Sequence, residues 1–208
     1  MSILVLRLDE NNWDSYLPEE IYELFKSLTI PWWIAGGWAI DLFLGSKTRN
    51  HLDIDIQILR KDQLKLQEFL ESWDLYKTNQ PSLKPWEKDE FLQLGVNSIW
   101  CRKTPENPWK MQILFLDTEG DKWFFRRKTS IGGFISDIGM KTKTGIPYLA
   151  PEIQLLFKAR KKLEQKDKQD FLNILPLLKK KKLLWLKESI RVQFGRNHSW
   201  IEEINNVL

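Results

Sequence analysis

The 208-residue chain has a single cysteine, Cys101, and only two histidines, His51 and His198. One thiol permits no intrachain disulfide, which excludes a disulfide scaffold and fits a reducing, cytoplasmic compartment. Cys101 also lacks a CxxC partner or a neighbouring histidine, so the sequence speaks against nucleophilic cysteine chemistry. No apolar run approaches the length of a membrane span, and the reading is of a protein without a membrane partner. Met1-Ser2-Ile3-Leu4-Val5-Leu6-Arg7 is too short and too soon charged to be read as a secretory signal. No internal repeat is visible. The rest of the composition is that of an ordinary folded protein, 42% apolar and 29% charged, so one domain, or one with a helical extension, is expected. The 11 tryptophans are many; most are expected in the core and a few along a pocket where a flat ring can stack.

Against this background two short segments stand out. Gly36-Gly37 follows the apolar run Pro31 to Ala35, which reads as a buried strand, and opens a segment with helical spacing of Trp38, Leu42 and Phe43. Strand, Gly-Gly turn and helix N-terminus together offer backbone N–H groups to an anionic phosphate. Further on, Arg49-Asn50-His51-Leu52-Asp53-Ile54-Asp55-Ile56 reads as a strand. Its period of two puts Leu52, Ile54, Ile56 and Ile58 on a core face and His51, Asp53, Asp55 and Gln57 on the other. Two ionised carboxylates about 5 Å apart repel by roughly 3 kcal/mol at an effective dielectric near 20. A divalent cation offsets that, and an oxygen-only pair suits Mg²⁺ completed by water and substrate phosphates. Taken alone, the strand is equally compatible with two aspartates that simply face water.

Gly36-Gly37 with Asp53-x-Asp55 resembles the signature of the DNA polymerase beta-type nucleotidyltransferase superfamily. The fuller pattern, Gly-Gly-Trp-Ala-x-Asp then Arg-x-His-x-Asp-x-Asp-Ile, is similar to the branch of aminoglycoside 2''-adenylyltransferases and lincosamide nucleotidyltransferases. Trp109 to Gly120, Trp123 with Arg126-Arg127, Gly145 to Glu152 running into Lys158, and Lys166-Asp167 with Asp170-Phe171 extend the likeness over roughly residues 30 to 178. The resemblance implies transfer of a nucleoside monophosphate from a nucleoside triphosphate, ATP as the leading choice, to a hydroxyl of a small molecule such as an antibiotic. It implies Asp53 and Asp55 as catalytic Mg²⁺ ligands, the turn at Gly36 and Gly37 as the triphosphate cradle, and Lys158 or Lys166 as a phosphate-binding lysine. Arg49 is read either as a triphosphate contact or as a fork holding the Asp pair. His51 is placed to support Asp53. Asp41 is read as bonding nearby backbone or pairing with Arg49, and Asp167 and Asp170 as partners of the lysines.

One departure matters. Superfamily members commonly carry a third carboxylate on a later strand, and the matching strand here, Trp109 to Leu116, offers Gln112. A neutral amide cannot act as a general base near pH 7. Either another acid fills the role, or the enzyme is slow, or the chain binds nucleotide or a partner without turnover. Glu87, Asp89 and Glu90 are read as a solvated loop and Asp117 and Glu119 as a hairpin turn, each a lesser candidate for that acid.

The remaining pattern gives an α+β protein with a core over residues 1–150 and a helical C-terminal region over 151–208, packed on or beside it; the resemblance implies that the core is a nucleotidyltransferase-type mixed sheet flanked by helices. Helices are expected over Pro18 to Leu28 and Lys61 to Trp73, an irregular loop with Pro81 and Pro85 over Lys77 to Lys88, and strands over Val96 to Arg102, Trp109 to Leu116 and Lys122 to Arg126. Pro176 marks a break between C-terminal helices. A net charge of +4 and a pI near 9.0 admit a nucleic-acid-binding module. That reading is not favoured, because no aromatic residues interleave with basic ones in an RNA-binding pattern. The same balance argues mildly against a polycationic acceptor, and the sequence does not specify an oligomeric state.

Overall fold

The computed structural model describes residues 9–78 and 83–208, so Met1 to Arg7 and Pro81 lie outside the described residues. Helix α1, Pro18–Leu24, starts with proline in its first turn, and Glu20 folds back to accept the Leu17 backbone N–H at 2.7 Å. Strand β1, Trp32–Ile34, runs directly into helix α2, Gly36–Leu44, which ends where Gly45 adopts the left-handed conformation. Strand β2 is Asp55–Leu59, and helix α3 is Gln63–Phe69. Ile54, Ile56 and Ile58 are fully buried, whereas Leu52 is 85% exposed. The expected strand therefore begins later than its hydrophobic alternation suggested. Residues 50–53 leave the sheet, and the Leu52 carbonyl accepts the Ser15 hydroxyl instead of a strand neighbour.

Strands β3, Asp74–Lys77, β4, Lys84–Pro85, β5, Ser98–Arg102, and β6, Met111–Leu116, follow. A three-stranded sheet of β7, Thr118–Glu119, β8, Lys122–Phe125, and β9, Lys128–Phe134, interrupts the order before β10, Gly139–Lys141, and β11, Pro147–Leu149. The main sheet has eight strands in the order β10-β11-β1-β2-β6-β5-β3-β4. It is mixed, with β1 parallel to β11 and β2 parallel to β6, and antiparallel pairing elsewhere. The hairpin spacing seen in the sequence holds for β5 with β6, but β8 pairs with β7 and β9 in the smaller sheet.

From Pro151 the chain is helical: α4, Pro151–Lys158, α5, Gln165–Ile174, α6, Lys180–Phe194, and α7, Ser199–Val207. Pro176 sits in the short 3-10 turn that separates α5 from α6. Helix α2 packs on α4, α5, β2 and β11, while α6 bridges α4 and α7. Phe171 of α5 and Trp200 of α7 are both buried and stack with centroids 4.2 Å apart. A second aromatic group joins Trp13, Trp100 and Trp109, with the Arg102 guanidinium 4.5 Å above the Trp109 ring. Among the described residues no helix is long and apolar enough to cross a membrane. Trp200→Ala is expected to lower the unfolding free energy by about 3 to 5 kcal/mol in urea denaturation, because it empties a fully enclosed stacking site.

Candidate metal and nucleotide site

The site forms where β1 turns into α2. Gly36 has φ +66°, a conformation that L side chains rarely adopt, and a Cβ there would collide with the Asp55 carboxylate. A Cβ on Gly37 would collide with Arg49 and His51. Both glycines are thus required by close approach. The Gly36 N–H is taken by the Gln154 amide oxygen of α4 at 2.9 Å. Among the described residues no protein acceptor takes the N–H of Gly37 or Trp38, and these two remain at the helix N-terminus for an anion.

Asp55 opens β2, pairs in register with Gln112 of the parallel strand β6, and is half-buried. Asp53 is exposed in the segment just before it. Burial first, and then the neighbouring Asp53 charge, push the Asp55 carboxyl up to about 7, while Lys158 and Lys166 draw it back down. Among the described residues neither aspartate has an ion-pair partner, since Lys158 is committed to Asp167 and Asp170 and Lys166 to Glu164. A pair of oxygen donors left without a protein cation fits a hard divalent ion. No cluster of three or more His, Cys, Asp and Glu suited to a metal occurs among the described residues, so such an ion would keep open positions for water and phosphate.

Around this pair lies a cleft of about 660 Å³. Gly36, Gly37, Arg49, Asp53, Asp55, Lys158 and Lys166, which the sequence reading singled out, all line it, as does Gln112. Several finer readings need correction. The fork of Arg49 reaches Asp170 at 3.1 and 3.0 Å, not the Asp53 and Asp55 pair. His51 Nε2 lies 2.5 Å from Asp41, because residue 51 is outside the strand and the alternation that put it beside Asp53 does not apply. Burial lowers the His51 pKa despite that carboxylate. Asp41 also accepts the Thr48 backbone N–H and hydroxyl, so it fixes the loop after α2 through backbone as expected, and not through Arg49. Asp117 is no open hairpin residue: it is buried, paired with Arg60, and lines the cleft. Glu87, Asp89 and Glu90 do not line the cleft, and Glu90 pairs with Lys77. Among the described residues no tryptophan lines it; the phenylalanines there are Phe115, Phe124, Phe125 and Phe157. Tryptophans are instead spent on packing, including Trp38, whose ring centroid is 4.5 Å from that of His51.

The sequence reading missed Gln154, the Asn97 side-chain oxygen, which is buried in the cleft without a partner, and Arg126 with Arg127 as lining residues. Only the arginine pair carried a visible sign, two adjacent cations straight after an aromatic strand.

The mixed sheet, the glycine turn and the aspartates at and just before the start of β2 are those of a nucleotidyltransferase fold. The comparisons agree. The family model described as aminoglycoside-2''-adenylyltransferase matches residues 19–87, which include both motifs. A lincosamide resistance protein of Staphylococcus haemolyticus is 27% identical over 161 residues, covering 74% of this chain and 89% of that protein. The lincomycin-bound lincosamide antibiotic adenylyltransferase LnuA aligns with a TM-score of 0.53 at 22% identity, over 79% of this chain and 98% of that one. ANT(2'')-Ia in complex with adenylyl-2''-tobramycin aligns with a TM-score of 0.52 at 15% identity, over 82% and 93% of the two chains. The resemblance carried by Gly36-Gly37 and Asp53-x-Asp55 is borne out, and the chain has the fold of these nucleotidyltransferases.

Behind the cleft, Asp170 is fully buried yet bonded to Arg49 and to Lys158 at 2.8 Å. Burial alone would raise its pKa; the Arg49 hydrogen bonds and the Lys158 charge override this and hold it below the usual carboxylate range. A depressed carboxyl contributes stability above its unfolded pKa and loses it as pH falls through its folded value. Asp170→Asn is therefore expected to cost about 3 kcal/mol near neutral pH, as for other broken buried pairs. The gap from wild type should close below roughly pH 4 in urea titrations, near the ordinary carboxylate pKa. Gly36→Ala should cost about 1 to 2 kcal/mol through its backbone conformation alone. The same change should weaken divalent-cation binding measured by calorimetry, because the new methyl displaces the Asp55 carboxylate.

Proposed function

We propose that the protein is a Mg²⁺-dependent nucleotidyltransferase that moves a nucleoside monophosphate from a nucleoside triphosphate, ATP first among them, to a hydroxyl of a small molecule, with antibiotics as the leading acceptor class. The observation that carries this reading is that Asp53 and Asp55, without an ion-pair partner among the described residues, line one cleft with the glycine turn, where Asp55 lies against Gly36. The relatives support the acceptor class, since one is a lincosamide resistance protein and two solved structures hold lincomycin and adenylylated tobramycin. Asp53 and Asp55 hold the cation, which when bound neutralises phosphoryl charge and orients the phosphate for in-line attack. The Gly37 and Trp38 N–H groups receive a phosphate oxygen at the start of α2. Lys158, fixed by Asp167 and Asp170, contributes positive potential beside Asp55 without leaving its partners. The cytoplasm, where nucleoside triphosphates are made available, is the compartment this reading requires.

A second reading rests on Gln112. Its register opposite Asp55 puts an amide where a third carboxylate would sit, which favours nucleotide binding with slow or no transfer. A basic nucleic-acid module is disfavoured by the exposed Asp53 among the cleft-lining residues. Mg²⁺ with ATP is expected to raise the thermal midpoint, by an amount set by ligand excess over its dissociation constant, and Asp53→Asn with Asp55→Asn should abolish the shift. An equal shift in the double variant would overturn the assigned site. A labelled-nucleotide transfer screen over small hydroxyl compounds then separates turnover from binding alone.

A further inference from the structure

We propose that Arg126 and Arg127 form the station for the terminal phosphates of the nucleotide, and so for the pyrophosphate that leaves. This rests on the nucleotide reading of the same cleft. The two residues are consecutive, in the turn between β8 and β9, and both line the cleft that contains Asp53 and Asp55. Their neighbours explain why they are available. Arg49 and Lys158 are neutralised by buried Asp170 and Asp167. Arg160 and Lys166 lean on exposed Glu164. Among the described residues Arg126 and Arg127 have no carboxylate within ion-pair distance. The one acid that bears on Arg126, Asp117, is bound to Arg60.

Arg127 is nevertheless held in place. One of its nitrogens donates to the Ala159 carbonyl at 3.2 Å, and its guanidinium sits 5.5 Å from the centre of the Phe125 ring. That leaves most of a planar, five-donor fork for a ligand. The local field is mixed at Arg126, where Asp117 opposes burial and Arg60, and one-sided at Arg127. Burial lowers both arginine pKa values, and neighbouring cations add to it, Arg60 for Arg126, and Arg160 and Arg126 for Arg127. Both remain charged, so the crowded guanidiniums are relieved by an anion with several oxygens.

Among the described residues the cleft lining thus includes two carboxylates and two guanidiniums without an ion-pair partner. A cation-bound phosphate followed by further phosphates in a row answers both. In the transfer step the acceptor oxygen bonds to the α-phosphorus while the bond from that phosphorus to the bridging oxygen breaks. The electron pair leaves with pyrophosphate and the hydroxyl proton passes to water. The charge that grows on the leaving group is what this pair stabilises.

The test is calorimetric titration in Mg²⁺ with ATP, inorganic pyrophosphate and AMP, on the wild type and Arg126→Gln with Arg127→Gln. Loss of two charge-assisted contacts should weaken ATP and pyrophosphate about 100-fold and leave AMP unchanged. Arg126→Lys with Arg127→Lys keeps the charge and removes the fork. It should fall between the two, and it serves as the test should the glutamine pair fail to fold. ATP binding equal to wild type in the variants, or an equal loss for AMP, overturns the station while leaving the nucleotide site intact. A wild type that binds neither ATP nor pyrophosphate overturns both readings.

Discussion

Two carboxylates without a protein cation set the terms for this structure. Asp55 is squeezed between burial and the Asp53 charge, and no lysine or arginine among the described residues closes on either. Several surrounding features follow from that constraint. Gly36 has no Cβ because the carboxylate occupies the space one would fill. The basic residues that come nearest in effect are tied to other acids, so among the described residues the pair is left without an ion-pair partner. A fold that had satisfied this pair internally, with one ordinary salt bridge, would have gained some stability and lost the site.

Where the chain's chemistry is local, the sequence announces it. A Gly-Gly turn after a short apolar strand, and aspartates at positions i and i+2 among isoleucines, need only the neighbouring residues to be read, and the register of Asp55 with Gln112 follows from aligning two strands. The period of two holds only within the strand. It puts Leu52 in the core and His51 beside Asp53, yet both lie in the segment before the sheet begins. The partner of Arg49 was out of reach for a different reason: Asp170 is 121 residues away, on a helix whose docking no local pattern specifies. The tryptophans misled because ring size invites a stacking role. Their size makes them equally good filling, and phenylalanines line the cleft instead.

The acids and bases around the cleft sort into two groups. Asp41, Asp167, Asp170, Arg60 and Asp117 are buried and paired, and they fix loops and helix ends. Among the described residues Asp53, Asp55, Arg126 and Arg127 have no ion-pair partner, and they line the cleft. Desolvation bears on the division, because a buried charge without a partner is costly to keep, and the half-buried Asp55 shows that cost in a carboxyl pushed up by burial. Net charge, which alone suggested a nucleic-acid partner, says little about this arrangement.

The bond between Arg49 and Asp170 has a temporal meaning as well. During synthesis the glycine turn and both aspartates emerge within the first third of the chain. The carboxylate that anchors their loop, and the lysine it shares, come only near the end. Until α5 has left the ribosome and docked, the cleft lacks one wall and Arg49 lacks its anchor. A nascent or C-terminally shortened chain would thus display the signature motifs without a formed pocket, and the cleft is completed only when the fold is nearly complete.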